Sequence, residues 1–392
     1  MDEFSKTFHG ALPTTIRRDF SEIYGLNPDI DSTALMVSST SWILSKLLNE
    51  ELAANAKNIT SSTDVTSSIS DLLLKQNTSL STADFLVNVI DYRIPRMLNA
   101  VEYLHSRDID NDDLLEQQYN EDWMDTVLRA GKIVYSQGSW ILALNSLSDL
   151  LSKLGRVEEA ENVTMLISRT INGVEELLWS EDDGCYMDLL NNGNKQEQEE
   201  NPNSSPYRRT LTQDVSLYLV AISENMIKDD NNSTNYNDFL CSRRGVSQEL
   251  VSNSGYQAIK IFQRAIKALD TLKSRIWNNQ WPLVTEHVLR TTGQWILRPN
   301  QNHNYTFWPW ITAIEMLARS RFSRFEECHI LLSKLATKRK PCVYSFYEWI
   351  VPNTGHENGA FPFRTGISAV RIAISDLLTN NINNNSNNDK SG

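Results

Sequence analysis

The stretch GSWILALNSLSDLLSKLGRVEEAENVTMLISRTINGVEELLW, Gly138 to Trp179, limits the fold of this chain more than any other. An apolar helix runs into a Leu154-Gly155-Arg156 turn. A second helix then returns with Val157, Ala160, Val163 and Ile167 on one face, the pattern of an antiparallel helical hairpin. Apolar residues recur at helical spacing through most of the sequence, and β-type alternation is scarce. We read helices at about 32–50, 84–106, 134–154, 157–179, 210–227, 256–277, 306–321, 323–337 and 364–379.

Polar segments separate these helices: 57–81 is rich in Ser and Thr, 192–207 in Asn and Glu, and 229–237 in Asp and Asn. Extended pieces are few: GCYMDLL after Trp179, then WPLVTEHVL and QWILRP ahead of Trp308. The expected fold class is therefore all-α, stacked hairpins with short strands on one face. An open solenoid predicts loops of similar size, whereas here one side carries long loops rich in Trp, Tyr, Asp and Glu and the other side short turns. That asymmetry favours a closed ring with a cleft. Residues 1–379 are expected to form a single domain and 380–392 a disordered Asn-rich tail.

Composition removes several classes of partner. With 392 residues the chain can bury a substantial core, and its net charge of -12 is spread rather than gathered in one tail, so nucleic acid and anionic membranes are disfavoured. Cys185, Cys241, Cys328 and Cys342 form no CxxC or zinc spacing, which fits a reduced cytoplasmic protein. No window approaches the roughly 18 apolar residues of a membrane helix, and the first residues hold no apolar signal core. P-loop, GxGxxG, HExxH and GxSxG patterns are absent. In SRDIDNDDLLE, Asp108, Asp110 and Asp112 alternate like calcium ligands. The turn glycine and the twelfth-position glutamate are missing, so no metal or other cofactor is expected.

Four segments combine carboxylates with aromatics. They hold Glu121, Asp122, Trp123, Asp125 and Arg129; Asp29 and Asp31; His303, Asn304, Trp308 and Trp310; and Tyr347, Glu348, Trp349, Glu357, Phe363 and Arg364. Each has a plainer reading. Asp31 before Ser32 suits a helix N-cap, Asp122 and Asp125 could complement a helix dipole, Trp308 and Trp310 could be core, and His303 a surface residue. Glu348, among Phe346, Tyr347, Trp349 and Ile350, is poorly placed to be solvated. Glycoside hydrolysis needs two carboxyl groups in contrasting environments, one protonated and one ionised, and aromatic faces to pack against a sugar. Together the four segments offer that mixture.

These residues resemble the six-hairpin glycosidases, whose (α/α)6 barrel is shared by neutral/alkaline invertases, the glucosidase domain of glycogen debranching enzymes, trehalases and mannosylglycerate hydrolases. Trp123-Met124-Asp125 is similar to the debranching-enzyme acid segment. Asp125 with Arg129 four positions on resembles the trehalase and mannosylglycerate type, while the invertase alignment favours Asp122. HNYTFWPWITAIEM resembles a His-Asn-Gly-Gly-x-Trp-Pro element, with Tyr305 and Thr306 in place of the glycines. FYEWIVPNTGHENGAFPFRTGISAVRIAI is similar to the closing segment that carries the catalytic base, which implies that role for Glu348. YGLNPDIDSTALM resembles a sugar-contacting entry at Asp31, and RRTLTQDVSLYLV a weaker counterpart around Asp214. Nine helices stand against the barrel's twelve, so an N-terminally short version is one reading.

The resemblance implies an inverting glycoside hydrolase acting on an α-glucoside: an α-1,6 branch, a trehalose-like disaccharide or a compatible solute. Asp125 or Asp122 would be the general acid and Glu348 the base, roughly 6.5–9.5 Å apart. Asp31, Trp123, Arg129, Asp214, His303, Asn304, Trp308, Trp310, Tyr347 and Arg364 would hold the sugar. Alternatives are an invertase-like sucrose hydrolase, a lyase or cyclase on a related barrel, and a non-catalytic helical-repeat binding protein.

Overall fold

The computed structural model describes residues 8–13, 15–16, 21–23, 26–58, 82–127, 129–190, 207–208, 211–226, 248–286, 298–338 and 345–388. Among them are nine helices: α1 Ile30–Asn58, α2 Thr82–His105, α3 Val134–Lys153, α4 Val157–Leu177, α5 Val215–Met226, α6 Gln248–Ile276, α7 Pro309–Arg321, α8 Phe325–Lys338 and α9 Arg364–Asn388. Every helix expected from the apolar spacing has its counterpart. The last helix, α9, runs into the Asn-rich stretch as far as Asn388. Cys241, Cys342, most of QWILRP and the polar segment after Asn58 lie outside the described residues. Among the described residues no helix is long and apolar enough to cross a membrane.

The chain divides into two compact units, Met1–Trp123 with Ser139–Gly173, and Met124–Gly138 with Val174–Gly392. In the first, α1 packs on α2, with Ile30, Ala34, Val37, Leu44 and Leu48 from one and Leu86, Ile90, Ile94, Met97 and Leu104 from the other all buried. These positions are three, four or seven apart, which puts them on one stripe of each helix. Ser45 donates to Asp149 and Ser148 meets Thr164, so hydroxyls bridge α1 to α3 and α3 to α4.

The start of α1 corrects the expected cap. Asp29, not Asp31, stands before the helix and accepts the Ser32 hydroxyl at 3.3 Å, while Asp31 is inside the first turn and buried. Glu121 holds this entry in place: its backbone oxygen accepts Ile30 N, and its fully buried carboxylate accepts from Asn27, Arg107 and Gln118 N. Asp108, Asp110 and Glu116, rather than Asp112, bring carboxylate oxygens within 4.8 Å of one another. Loop amides already donate to these groups, from Asp112 and Asp113 to Asp108 and from Ile109 to Glu116.

In the second unit α7 packs against α5, α8 and α9. Pro309 at its first turn costs no backbone bond, because that N–H would have no helical partner. Inside, Glu315 accepts from Arg319 at 2.8 Å, Gln213 at 2.6 Å and Trp277 Nε1 at 2.9 Å. A buried pair of charges is tolerated there because its hydrogen bonds are supplied from three sides.

Short strands support the helix entries of this unit. β4 (Gly131–Ile133) pairs antiparallel with β7 (Leu189–Leu190), and β7 with β8 (Tyr207–Arg208). The first turn of α3 and α5 approach so closely that a Cβ at Gly138 would lie 2.7 Å from the backbone N of Tyr218. Gly138→Val should therefore lower stability by about 1–3 kcal/mol through overpacking, read as a fall in the urea midpoint at unchanged slope.

Candidate active site

The second unit brings together the entry segments of several helices, joined side by side through their backbones. Gln213 N donates to Val284 O at 2.9 Å and Val284 N to Thr306 O at 2.8 Å. Phe307 and Ile350 exchange two bonds of 2.9 Å, which ties the segment before α7 to the hairpin of β11 (Trp349–Val351) and β12 (His356–Asn358). Val134 N donates to Asp188 O at 3.1 Å and anchors the start of α3 in the same row.

Arg129 is buried in the same unit. Its Nη1 is 2.8 Å from Asp188 Oδ1 and 2.8 Å from Asp214 Oδ2, with all three side chains buried, and the Thr212 hydroxyl adds a bond of 2.9 Å to Asp188. Two residues read from sequence as sugar contacts, Arg129 and Asp214, are thus ion-paired with each other. The sequence reading does not single out Asp188. Its one signal is an acidic residue between apolar neighbours in the extended piece GCYMDLL.

His303 lies within reach of the Arg129 charge. It is buried, its ring stacks on Trp308 at 4.6 Å and 13°, and Nδ1 is 2.6 Å from the Thr126 hydroxyl and 3.9 Å from Asp125 Oδ1. Burial, reinforced by the Arg129 charge, holds the imidazole pKa well below 6.5 and the ring neutral. The surface-residue reading of His303 is therefore corrected. Trp308 donates its indole N–H to Asn302 O and Thr306, and Trp310 packs edge-on against Tyr135 at 6.3 Å. Asn304 is fully buried, its backbone engaged with Asn300 and Gln301.

Asp125, by contrast, keeps 53% of its side chain exposed. Asp122 and Trp123 belong to the first unit, where Asp122 is buried and accepts from Gln117 Nε2 at 2.6 Å; Asp31 also belongs there. Glu348 is half-buried at the root of the β11–β12 hairpin. Its N–H donates to Ala360 O at 3.1 Å and its Oε2 accepts Ala360 N–H at 3.0 Å. Tyr347 stacks on the exposed Phe361 at 4.5 Å, and Phe363 meets Trp308 edge-on, while Arg364 is exposed at the start of α9. Gly359 makes room for the carboxylate: with φ of +78°, a Cβ there would lie 2.4 Å from Glu348 Oε2.

No protein-family model and no curated protein sequence matches the chain. Solved structures do match its fold. An uncharacterized conserved protein from Thermus thermophilus superimposes with a TM-score of 0.53 at 14% identity, over 94% of this chain and 83% of that one. A GH63 mannosylglycerate hydrolase from the same organism, solved in complex with glucose, gives 0.52 at 13% identity, over 94% and 84%. The chain thus shares the largely helical fold of these two proteins.

The neutral His303 has a measurable consequence. The unfolded chain protonates this imidazole near its ordinary value of 6.5 while the folded protein does not, so protons favour unfolding as pH falls below about 6.5. Between pH 7.5 and 5, wild type should lose more stability than His303→Gln, measured as the difference in unfolding free energy at each pH.

Proposed function

We propose that this protein is a glycoside hydrolase of (α/α)6-barrel architecture, acting on an α-glucosidic bond with inversion. What supports the reading is that one unit holds two carboxylates in unlike settings: exposed Asp125 beside a neutral, aromatic-backed His303, and half-buried Glu348 held by a backbone N–H among Tyr347, Trp349 and Phe361. Asp125 is the general acid that protonates the leaving oxygen, and Glu348 the base that activates water. Asp122 is the weaker candidate, since it is buried and hydrogen-bonded to Gln117. The fold shared with a mannosylglycerate hydrolase supports a carbohydrate substrate.

In this mechanism Tyr347, Trp308 and Arg364 line the approach to the sugar, with Asn304 and Trp310 beyond them. Arg129 and Asp214 act from behind by holding His303 and the acid-bearing segment. The chemistry invokes no cofactor. A small α-glucoside or an α-1,6 branch is the proposed substrate, in a cytoplasmic setting, with an invertase-like action on sucrose as the second reading.

Hydrolysis should be assayed on a panel of α-glucosides, trehalose, mannosylglycerate and sucrose. Glu348→Gln, which keeps an acceptor for Ala360 N–H, should lose at least about 100-fold in kcat with little change in thermal stability. Asp125→Asn should lose a similar factor. Undiminished turnover in either variant would overturn its assignment, and silence of wild type on every substrate would overturn the hydrolase reading. Gly359→Ala should also lose turnover, because its methyl group would displace the Glu348 carboxylate.

A further inference from the structure

Thr126 follows the proposed acid directly, and its hydroxyl is 2.6 Å from His303 Nδ1. At that separation the two atoms share one hydrogen, supplied by the hydroxyl or by the ring N–H according to the ring tautomer. The ring it meets is buried, stacked on Trp308 and backed by the Arg129 guanidinium held between Asp188 and Asp214. We infer that Thr126 is a positioning residue: it donates its hydroxyl hydrogen to Nδ1 of His303, which fixes the proton of the neutral ring on Nε2 and ties the segment bearing Asp125 to that ring.

The assignment has an electrostatic side. Asp125 Oδ1 is 3.9 Å from the same ring nitrogen. An imidazolium there would favour the ionised carboxylate and oppose a general acid that must carry its proton near neutral pH. A hydroxyl donating to Nδ1 occupies the lone pair that would otherwise take up a proton. Burial and the nearby Arg129 charge act in the same direction. Thr126 therefore reaches the chemistry through His303 and through its own peptide link to Asp125, without touching substrate.

The catalytic part of this inference rests on the proposed function, but the ring tautomer does not. Wild type, Thr126→Val and Thr126→Ser, each labelled with 15N in the histidine rings, would be compared at pH 7.5, with the His303 signals identified by their loss in His303→Gln. The expected result is an Nε2–H tautomer in wild type and Thr126→Ser, and a mixture of tautomers in Thr126→Val. In parallel, kcat on the best α-glucoside should fall roughly 10- to 100-fold in Thr126→Val through misplacement of the acid, with KM little changed and with recovery in Thr126→Ser. An Nδ1–H tautomer in wild type, or an unaltered ring pattern in Thr126→Val, would overturn the assignment. Wild type that hydrolyses nothing would instead sink the hydrolase reading, and the ring spectra would still decide the Thr126 contact.

Discussion

A guanidinium buried between two buried carboxylates is the constraint from which the rest of the second unit follows. Removing Arg129 from water carries a large desolvation cost, and the contacts of its Nη1 with Asp188 and Asp214 work against that cost. Arg129 and its two partners come from three separate parts of the chain: the segment before α3, strand β7's approach and the entry to α5. Satisfying one cation therefore fixes the relative placement of three segments at once. Loss of Arg129 would leave two buried carboxylates without their cation, typically worth about 3–5 kcal/mol.

The same cation sets the chemistry of its neighbours. A histidine beside a fixed positive charge and away from water stays neutral, so it can stack on Trp308 and share a hydrogen bond with Thr126 without introducing a second cation beside Asp125. From the interior toward the surface stand an ion triad, a neutral ring and one exposed carboxyl group. The Glu348 side reaches a similar end without any cation, using a backbone N–H and the open space at Gly359.

How much of this is legible in the sequence differs by kind of interaction. Helices are legible because apolar spacing reports a local property, burial of one face, which each segment encodes by itself. Glu348 stands out because its aromatic neighbours are adjacent in sequence. Asp188 does not, since its partner Arg129 is 59 residues away and nothing near either residue marks the pairing. The cap of α1 lies two residues from its expected place because Asp29 and Asp31 are equally good capping types; Asp31 instead falls inside the helix and is buried. Thr126 carries no signal at all, being an ordinary hydroxyl whose importance depends on a ring 177 positions later.

The β11–β12 hairpin separates two demands usually made of one loop. Its root is clamped where Glu348 and Ala360 exchange bonds and where Phe363 N meets Phe346 O at 3.0 Å, while Asn353 and Thr354 at its far end are exposed. Changes of length or composition at that end do not have to be transmitted to the carboxylate. The hairpin is consequently a natural grafting point, where a recognition loop could be exchanged or enlarged while the group at its base keeps its position.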